Sequence, residues 1–151
     1  MTDLYSDTIT IFNRYEGGTF TGGRPGALDE RWEKTVIKAV LWKDKTRTLP
    51  DSTGKPSISK TVNISIQKDL AEIEGNKEYV RPSEWIALPA DADNVWTLQQ
   101  GDIIIYGETH RTITALYTID RLRAEYRSAE IREVYDSTHQ DILPQWKVAC
   151  L

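Results

Sequence analysis

The stretch Asn94-Val-Trp-Thr-Leu-Gln-Gln-Gly-Asp-Ile-Ile-Ile-Tyr-Gly107 decides the fold, because it combines a tryptophan, a Gly-Asp turn and a β-branched run closed by glycine. Ile103, Ile104 and Ile105 are stiff at χ1 and favour a pleated backbone, while Gly101-Asp102 before them and Gly107 after them are turn residues. The pattern predicts a short, well-bounded strand. A run with no polar alternation suits a strand covered on both faces, either inside a small barrel or at a subunit contact. Trp96, Gly101, Asp102, Ile103 and Ile105 are therefore expected to form a central strand of the core or of an interface.

Reading outward from this strand gives more of the same kind. Asp7-Thr-Ile-Thr-Ile-Phe-Asn-Arg-Tyr15 alternates, with Ile9 and Ile11 on one face and Thr8, Thr10 and Phe12 on the other. Trp32 to Lys43 reads as a second strand, with Val36, Val40 and Trp42 on one side and Ile37, Ala39 and Leu41 on the other. Thr61-Val-Asn-Ile-Ser-Ile-Gln67 places Val62, Ile64 and Ile66 inward and is the natural partner of that strand. Tyr79 to Leu88 reads as extended chain broken at Pro82, which cannot donate to a ladder. The helix signal lies in Thr118-Ile-Asp-Arg-Leu-Arg-Ala-Glu-Tyr126, where Thr118 is a cap, Asp120 complements the dipole, and Ile119, Leu122 and Tyr126 share a face. Ala129 to Asp136 and Leu143 to Cys150 read as the last strands. The expectation is a mainly β protein: a small β-barrel with a long inter-strand loop and one short helix near the C-terminal third, in a single domain spanning 1–151.

Two segments read as loops. Residues 17–26 hold five of the nine glycines, which predicts a loop or an open hairpin tip; they match neither a phosphate-binding P-loop nor a dinucleotide-binding loop. Residues 44–59 have no helical period and carry two prolines and a glycine, so they read as a long loop. With their flanks they contain Lys43, Lys45, Arg47, Lys55 and Lys60 against Asp44 and Asp51, a net +3 in a chain of −4.

The chain has 151 residues, enough for one domain with a sizeable core. Its formal charge of −4 argues against a general nucleic-acid coat, and no apolar stretch approaches the length of a membrane span. Met1 to Ser6 lacks the basic and apolar regions of a secretory signal, and the single Cys150 has no intrachain disulfide partner, so assembly in a reducing cytoplasm is expected. His110 and His139 fall on predicted loops, Cys150 stands apart from them, and the carboxylates are scattered. No catalytic, metal or cofactor site is therefore expected, since catalysis needs groups held in fixed geometry. All five tryptophans, Trp32, Trp42, Trp85, Trp96 and Trp146, lie at or near predicted strands. Core filling explains some of them; Trp42, Trp85 and Trp146 are candidates to face a neighbouring subunit.

Taken in order, several of these elements resemble the small head–tail connector proteins of tailed bacteriophages. The residues that carry the resemblance are Ile-Thr-Ile-Phe-Asn-Arg in the first strand, Trp32 leading into Val-Leu-Trp, Val-Asn-Ile-Ser-Ile, Tyr79-Val-Arg-Pro, Trp96-Thr-Leu-Gln-Gln-Gly-Asp-Ile-Ile-Ile-Tyr-Gly and the terminal Trp-Lys-Val. The chain is most similar to the head-completion, or stopper, proteins of phages and prophages of Gram-positive bacteria. It departs from them in its Gly17–Gly26 insertion and in Tyr135-Asp-Ser-Thr-His, where relatives tend to carry Asp-Asn-Arg. The resemblance implies a β-barrel with a short helix, assembled as a homo-oligomeric ring of six- or twelve-fold symmetry. That ring would lie between an adaptor or portal ring above and a tail terminator ring below. The loop Asp44–Ser59 would project into the DNA channel, with Lys45, Arg47 and Lys55 facing packaged double-stranded DNA. The implied location is the virion head–tail interface, after synthesis in the bacterial host cytoplasm and without membrane contact. Two other readings remain: a tail-side ring protein, and an OB-type barrel binding single-stranded nucleic acid, which needs aromatic and basic residues interleaved on one strand face.

Overall fold

The computed structural model describes residues 3–15, 31–88, 94–114 and 116–151; the glycine-rich segment expected as a loop at 17–26 lies outside the described residues. The strands are β1 (Asp7–Tyr15), β2 (Arg31–Pro50), β3 (Pro56–Gln67), β4 (Glu72–Ile73), β5 (Glu78–Tyr79), β6 (Val95–Trp96), β7 (Ile103–Tyr106), β8 (Ser128–Asp136) and β9 (Gln145–Cys150), with helices α1 (Pro82–Ile86) and α2 (Ile119–Glu125). The sheet runs β1-β7-β8-β9-β3-β2, and β2 pairs back onto β1, so six antiparallel strands close into a barrel. Closure removes the free sheet edges that an open sheet of this size would leave.

Closure depends on β2 pairing with two neighbours in succession. Its first half lies against β1, up to Asp7 opposite Val40, and its second half against β3, from Leu41 opposite Ser65 onward. Between the two, Ala39 takes φ 62°, and the register steps from Thr8 opposite Lys38 to Asp7 opposite Val40. One extra residue in a strand reverses the parity of everything after it. Ile37 therefore shares the barrel interior with Val40 and Trp42, correcting the expected split that put Ile37 and Trp42 on opposite sides.

The interior is filled by Ile9, Ile11, Ile37, Val40, Trp42, Ile64, Ile66, Trp96, Leu98, Ile104, Ile131, Trp146 and Val148. Tyr79, Trp96 and Trp146 meet one another with ring centroids 4.8–5.1 Å apart, the separation at which offset and edge-on aromatic pairs attract. The isoleucine run of β7 is covered on both faces, as its lack of alternation predicts. Ile104 points into the barrel, while Ile103 and Ile105 pack outward with Phe12 and Leu122 of α2. Helix α2 begins where expected, with Thr118 Oγ1 accepting from Arg121 N at 3.3 Å.

Three expectations need correction. The long loop expected at 44–59 is instead two strands: β2 continues to Pro50, β3 begins at Pro56, and ten pairs join them from Leu41–Ser65 to Pro50–Pro56. Apart from the exposed Leu49 and Ile58, the side chains there are polar and uncovered, so the ladder makes it β with little apolar alternation to advertise it. The extended reading of Tyr79–Leu88 gives way to the short β5 followed by α1, with Pro82 in the first turn, where its missing N–H satisfies nothing that the helix needs. Lastly, Trp42, Trp85 and Trp146 are buried within the chain itself, not offered to a neighbour. Trp85 donates its Nε1–H to Arg14 O at 3.0 Å and stands edge-on to Tyr15, which closes α1 over one end of β1.

Trp96 is fully buried at the centre of the aromatic trio, and Gly101 has φ +94° with open space where a Cβ would stand. Trp96→Ala should therefore cost about 3–5 kcal/mol through lost contacts and a cavity, and Gly101→Val about 1–3 kcal/mol through backbone strain alone. Chemical denaturation of both variants beside the parent checks this; a Trp96→Ala midpoint equal to the parent's contradicts the packing described.

Candidate functional site

Beyond the barrel rim, β2 and β3 continue as a ribbon whose last six pairs, from Lys45–Thr61 to Pro50–Pro56, have no strand on either side among the described residues. At roughly 3.3 Å per residue this arm reaches about 20 Å. Its tip is a compact turn: Asp51 Oδ1 accepts from Thr53 N, Thr53 Oγ1 and Lys55 N at 2.7–2.9 Å, and Gly54 supplies φ +83°. Those bonds, led by the Thr53 hydroxyl, hold the Asp51 carboxyl below its usual range. The arm is thus a formed hairpin.

A cluster at the root holds the arm to the barrel. Arg127, between α2 and β8, pairs with Asp44 and lies 5.4 Å over the Trp42 ring and 4.8 Å over the Tyr106 ring. Trp42 meets Tyr106 edge-on at 5.2 Å, Trp42 N donates to Asp7 Oδ2 at 2.9 Å, and Tyr106 O–H donates to Asp7 Oδ1 at 3.0 Å. Strand alternation then divides the cations. Lys43 and Lys45 stand on the face opposite Asp44 and are exposed, Arg47 holds the next position of that alternation opposite Ser59, and Lys55 lies exposed at the tip. The same outer face continues across β3 and β9 to Lys147, where Leu41, Lys43, Lys45, Asn63, Ser65 and Lys147 border a groove of about 260 Å³. Sequence reading found Lys45, Arg47 and Lys55 but missed Lys147 and the root residues Asp7, Tyr106 and Arg127, which register alone brings together.

The other expected residues build the wall behind the site. Trp96, Ile103 and Ile105 are core, and Gly101 begins β7 through a turn in which its N–H donates to Ile131 O at 2.9 Å. Asp102 is more than a turn residue. Its carboxylate is fully buried and accepts from Asn13 Nδ2 at 2.7 Å, Arg14 N at 3.0 Å, Gln99 N at 3.2 Å and Gln99 Nε2 at 3.0 Å. Asn13 completes the clasp by donating to Thr97 O at 2.7 Å and accepting from Thr97 N at 3.2 Å. Burial pushes the Asp102 carboxyl up to about 7 against these four bonds, each of which favours the charged form.

A second concavity, of about 470 Å³, lies between α1 and the β8–β9 connection, with Tyr79, Leu98 and Val134 beside Arg81, Asp136 and His139. Burial raises the Tyr79 phenol to about 12. The Cys150 thiol is likewise raised to about 12 by burial, which holds it as a thiol and away from nucleophilic use. His110 is exposed and bonded to Glu108 at 2.8 Å. Among the described residues, no three His, Cys, Asp or Glu side chains converge as metal ligands would, and no helix is long and apolar enough to cross a membrane.

Residues 4–151 match a family of unknown function, DUF6751. No curated protein and no solved structure matches the chain.

Asp102 gives a pH test of the clasp. A carboxyl with a folded-state value raised from 3.8 to about 7 contributes stability that is complete below about pH 4 and is lost as pH rises through about 7. The stability of the parent relative to Asp102→Asn should therefore decline across that window and level off above it. Denaturation midpoints of both proteins at several pH values check this; a constant difference shows that burial does not shift the group.

Proposed function

We propose that the chain, which belongs to the DUF6751 family, is a structural subunit of a tailed-phage head–tail connector. In this reading, copies form a ring below the portal and adaptor, close the DNA channel after packaging and give the tail its platform. The observation that carries the reading is the arm. The barrel has a complete core without it, yet the arm is a formed hairpin with a structured tip and a root fixed by Arg127 and Asp44. Its segment carries net +3 on a chain of −4, a local attraction for phosphates on a body that would not retain DNA against release. Arms from each subunit of a ring would converge and narrow the passage.

The OB-type reading is less well supported. It requires exposed aromatic residues interleaved with cations, and four of the five tryptophans are buried here. Among the residues bordering the basic groove, Tyr135 is the one aromatic beside a lysine. A tail-side ring would share the barrel and arm and differs in where the subunit is incorporated.

The hairpin also dictates how the arm should be shortened. Removing residues from one strand only would break the register, so residues 47–59 are best replaced by Asn-Gly, joining the paired Thr46 and Lys60. This variant should fold, enter particles and let heads package DNA that then leaks. Packaged DNA measured in purified heads at matched incorporation tests the proposal. Retention equal to the parent's would make the arm dispensable for closure, and absence of both proteins from heads and tails alike would remove the connector reading.

A further inference from the structure

Resting on the connector reading, we propose that the outer face of β2, β3 and β9 at the arm's root, not the arm's tip, binds the phosphodiester backbone of double-stranded DNA. The register builds the site. Lys43 is paired with Asn63, and Asn63 with Ala149; two residues along, Leu41 is paired with Ser65, and Ser65 with Lys147. Lys43 and Lys147 therefore stand two strands apart, with the short side chains of Asn63, Ser65 and Ala149 between them. This is why the face is a groove: Leu41, Lys43 and Lys45 on one side and Lys147 with Tyr135 on the other border a floor of small residues. The amide of Asn63 and the hydroxyl of Ser65 add neutral donors to that floor.

Charge and spacing select the ligand. Lys43 and Lys45 are two strand residues apart, roughly 6.8 Å, while each strand of a duplex presents one phosphate per roughly 3.4 Å of axis. A linear array of cations fits a linear array of charges better than it fits a compact anion. Among the described residues, no ion pair engages Lys43, Lys45 or Lys147, whereas the opposite face of the arm has its acid, Asp44, held by Arg127. Glu133, the nearest acid on the β8 side, receives the Tyr135 hydroxyl. A protein partner would seek a buried apolar anchor, and the middle of this floor is Asn63, Ser65 and Ala149. The tip is a poor site by comparison, because Asp51 is held ionised within the turn that contains Lys55.

The test uses the full chain and a mixed-sequence duplex of about 30 base pairs, with binding followed by fluorescence anisotropy across a salt series that starts at low ionic strength. Three phosphate contacts predict a slope of log K against log salt of about −2.7, and each lysine removed should shrink it by about 0.9. Lys43→Gln and Lys147→Gln should each lower the slope and the affinity, Lys43→Gln/Lys147→Gln should lower both further, and Lys55→Gln should leave them unchanged. All three positions are exposed, so far-UV circular dichroism should be the same for all four variants. A double variant that binds like the parent, loss confined to Lys55→Gln, or equally tight binding of polyglutamate would each overturn the assignment. Absence of duplex binding by a chain that still enters heads would sink this site and leave the connector reading standing. Binding with the expected slopes by a chain never found in particles would do the reverse to that reading.

Discussion

The single extra residue at Ala39 is the constraint on which the rest of the molecule depends. A strand of twenty residues cannot curl round a small barrel with uninterrupted alternation and still bury the right side chains at both ends. Placing Ala39 at φ 62° bends β2, lets its first half pair with β1 and its second half with β3, and turns Val40 and Trp42 inward after Ile37. Left-handed backbone at a non-glycine residue costs about 1–2 kcal/mol. The barrel offsets this cost, because without the bulge Ile37 and Trp42 would fall on opposite faces of β2 and only one of them would be buried in the interior.

The bulge also fixes which face of the arm carries which charge. Parity set at Ala39 runs unbroken through Trp42, so Asp44 follows Trp42 to one face while Lys43 and Lys45 fall on the other. Asp44 then meets Arg127, already positioned over Trp42 and Tyr106, and the arm leaves the barrel in a direction set by that cluster. The ion pair is half exposed on both sides, so its own contribution is small. Its effect is geometric: cation, two rings and carboxylate hold the strand at the last position where the barrel supports it.

The sequence revealed most where water was excluded. Ile103, Ile104 and Ile105, the alternation of Ile9 and Ile11, and Ile64 with Ile66 each report burial directly, and the barrel follows from them. The α2 cap at Thr118 was legible for a similar reason, because its hydroxyl has a fixed local task. What stayed hidden had no side-chain signature. Thr46, Thr48, Ser57 and Ser59 are strand residues whose pairing is all backbone, Ala39 is a poor advertisement for a positive φ, and Pro82 opens a helix in a stretch whose proline reads as an interruption. At the site, three basic residues were visible as composition, but Lys147 joins Lys43 only through the β2–β3–β9 register, and no spacing rule connects residues 104 positions apart.

That hidden register explains why an acidic chain can still present a basic surface. Net charge is a property of composition, whereas attraction at close range depends on the charges within about one Debye length, roughly 8–10 Å. Acids elsewhere are partly occupied: Glu74 with Lys34, Glu108 with Lys38 and His110, Glu125 with Arg121, Glu130 with Arg123 and Arg132. On the outer face Lys43, Lys45 and Lys147 outnumber the exposed Glu133, which leaves the local field positive. A body of −4 carrying such a face attracts a polyanion at one place and repels it elsewhere. On the proposed connector reading, that combination suits a subunit that stands beside DNA and then lets it pass, because uniform positive charge would bind the duplex along its whole length.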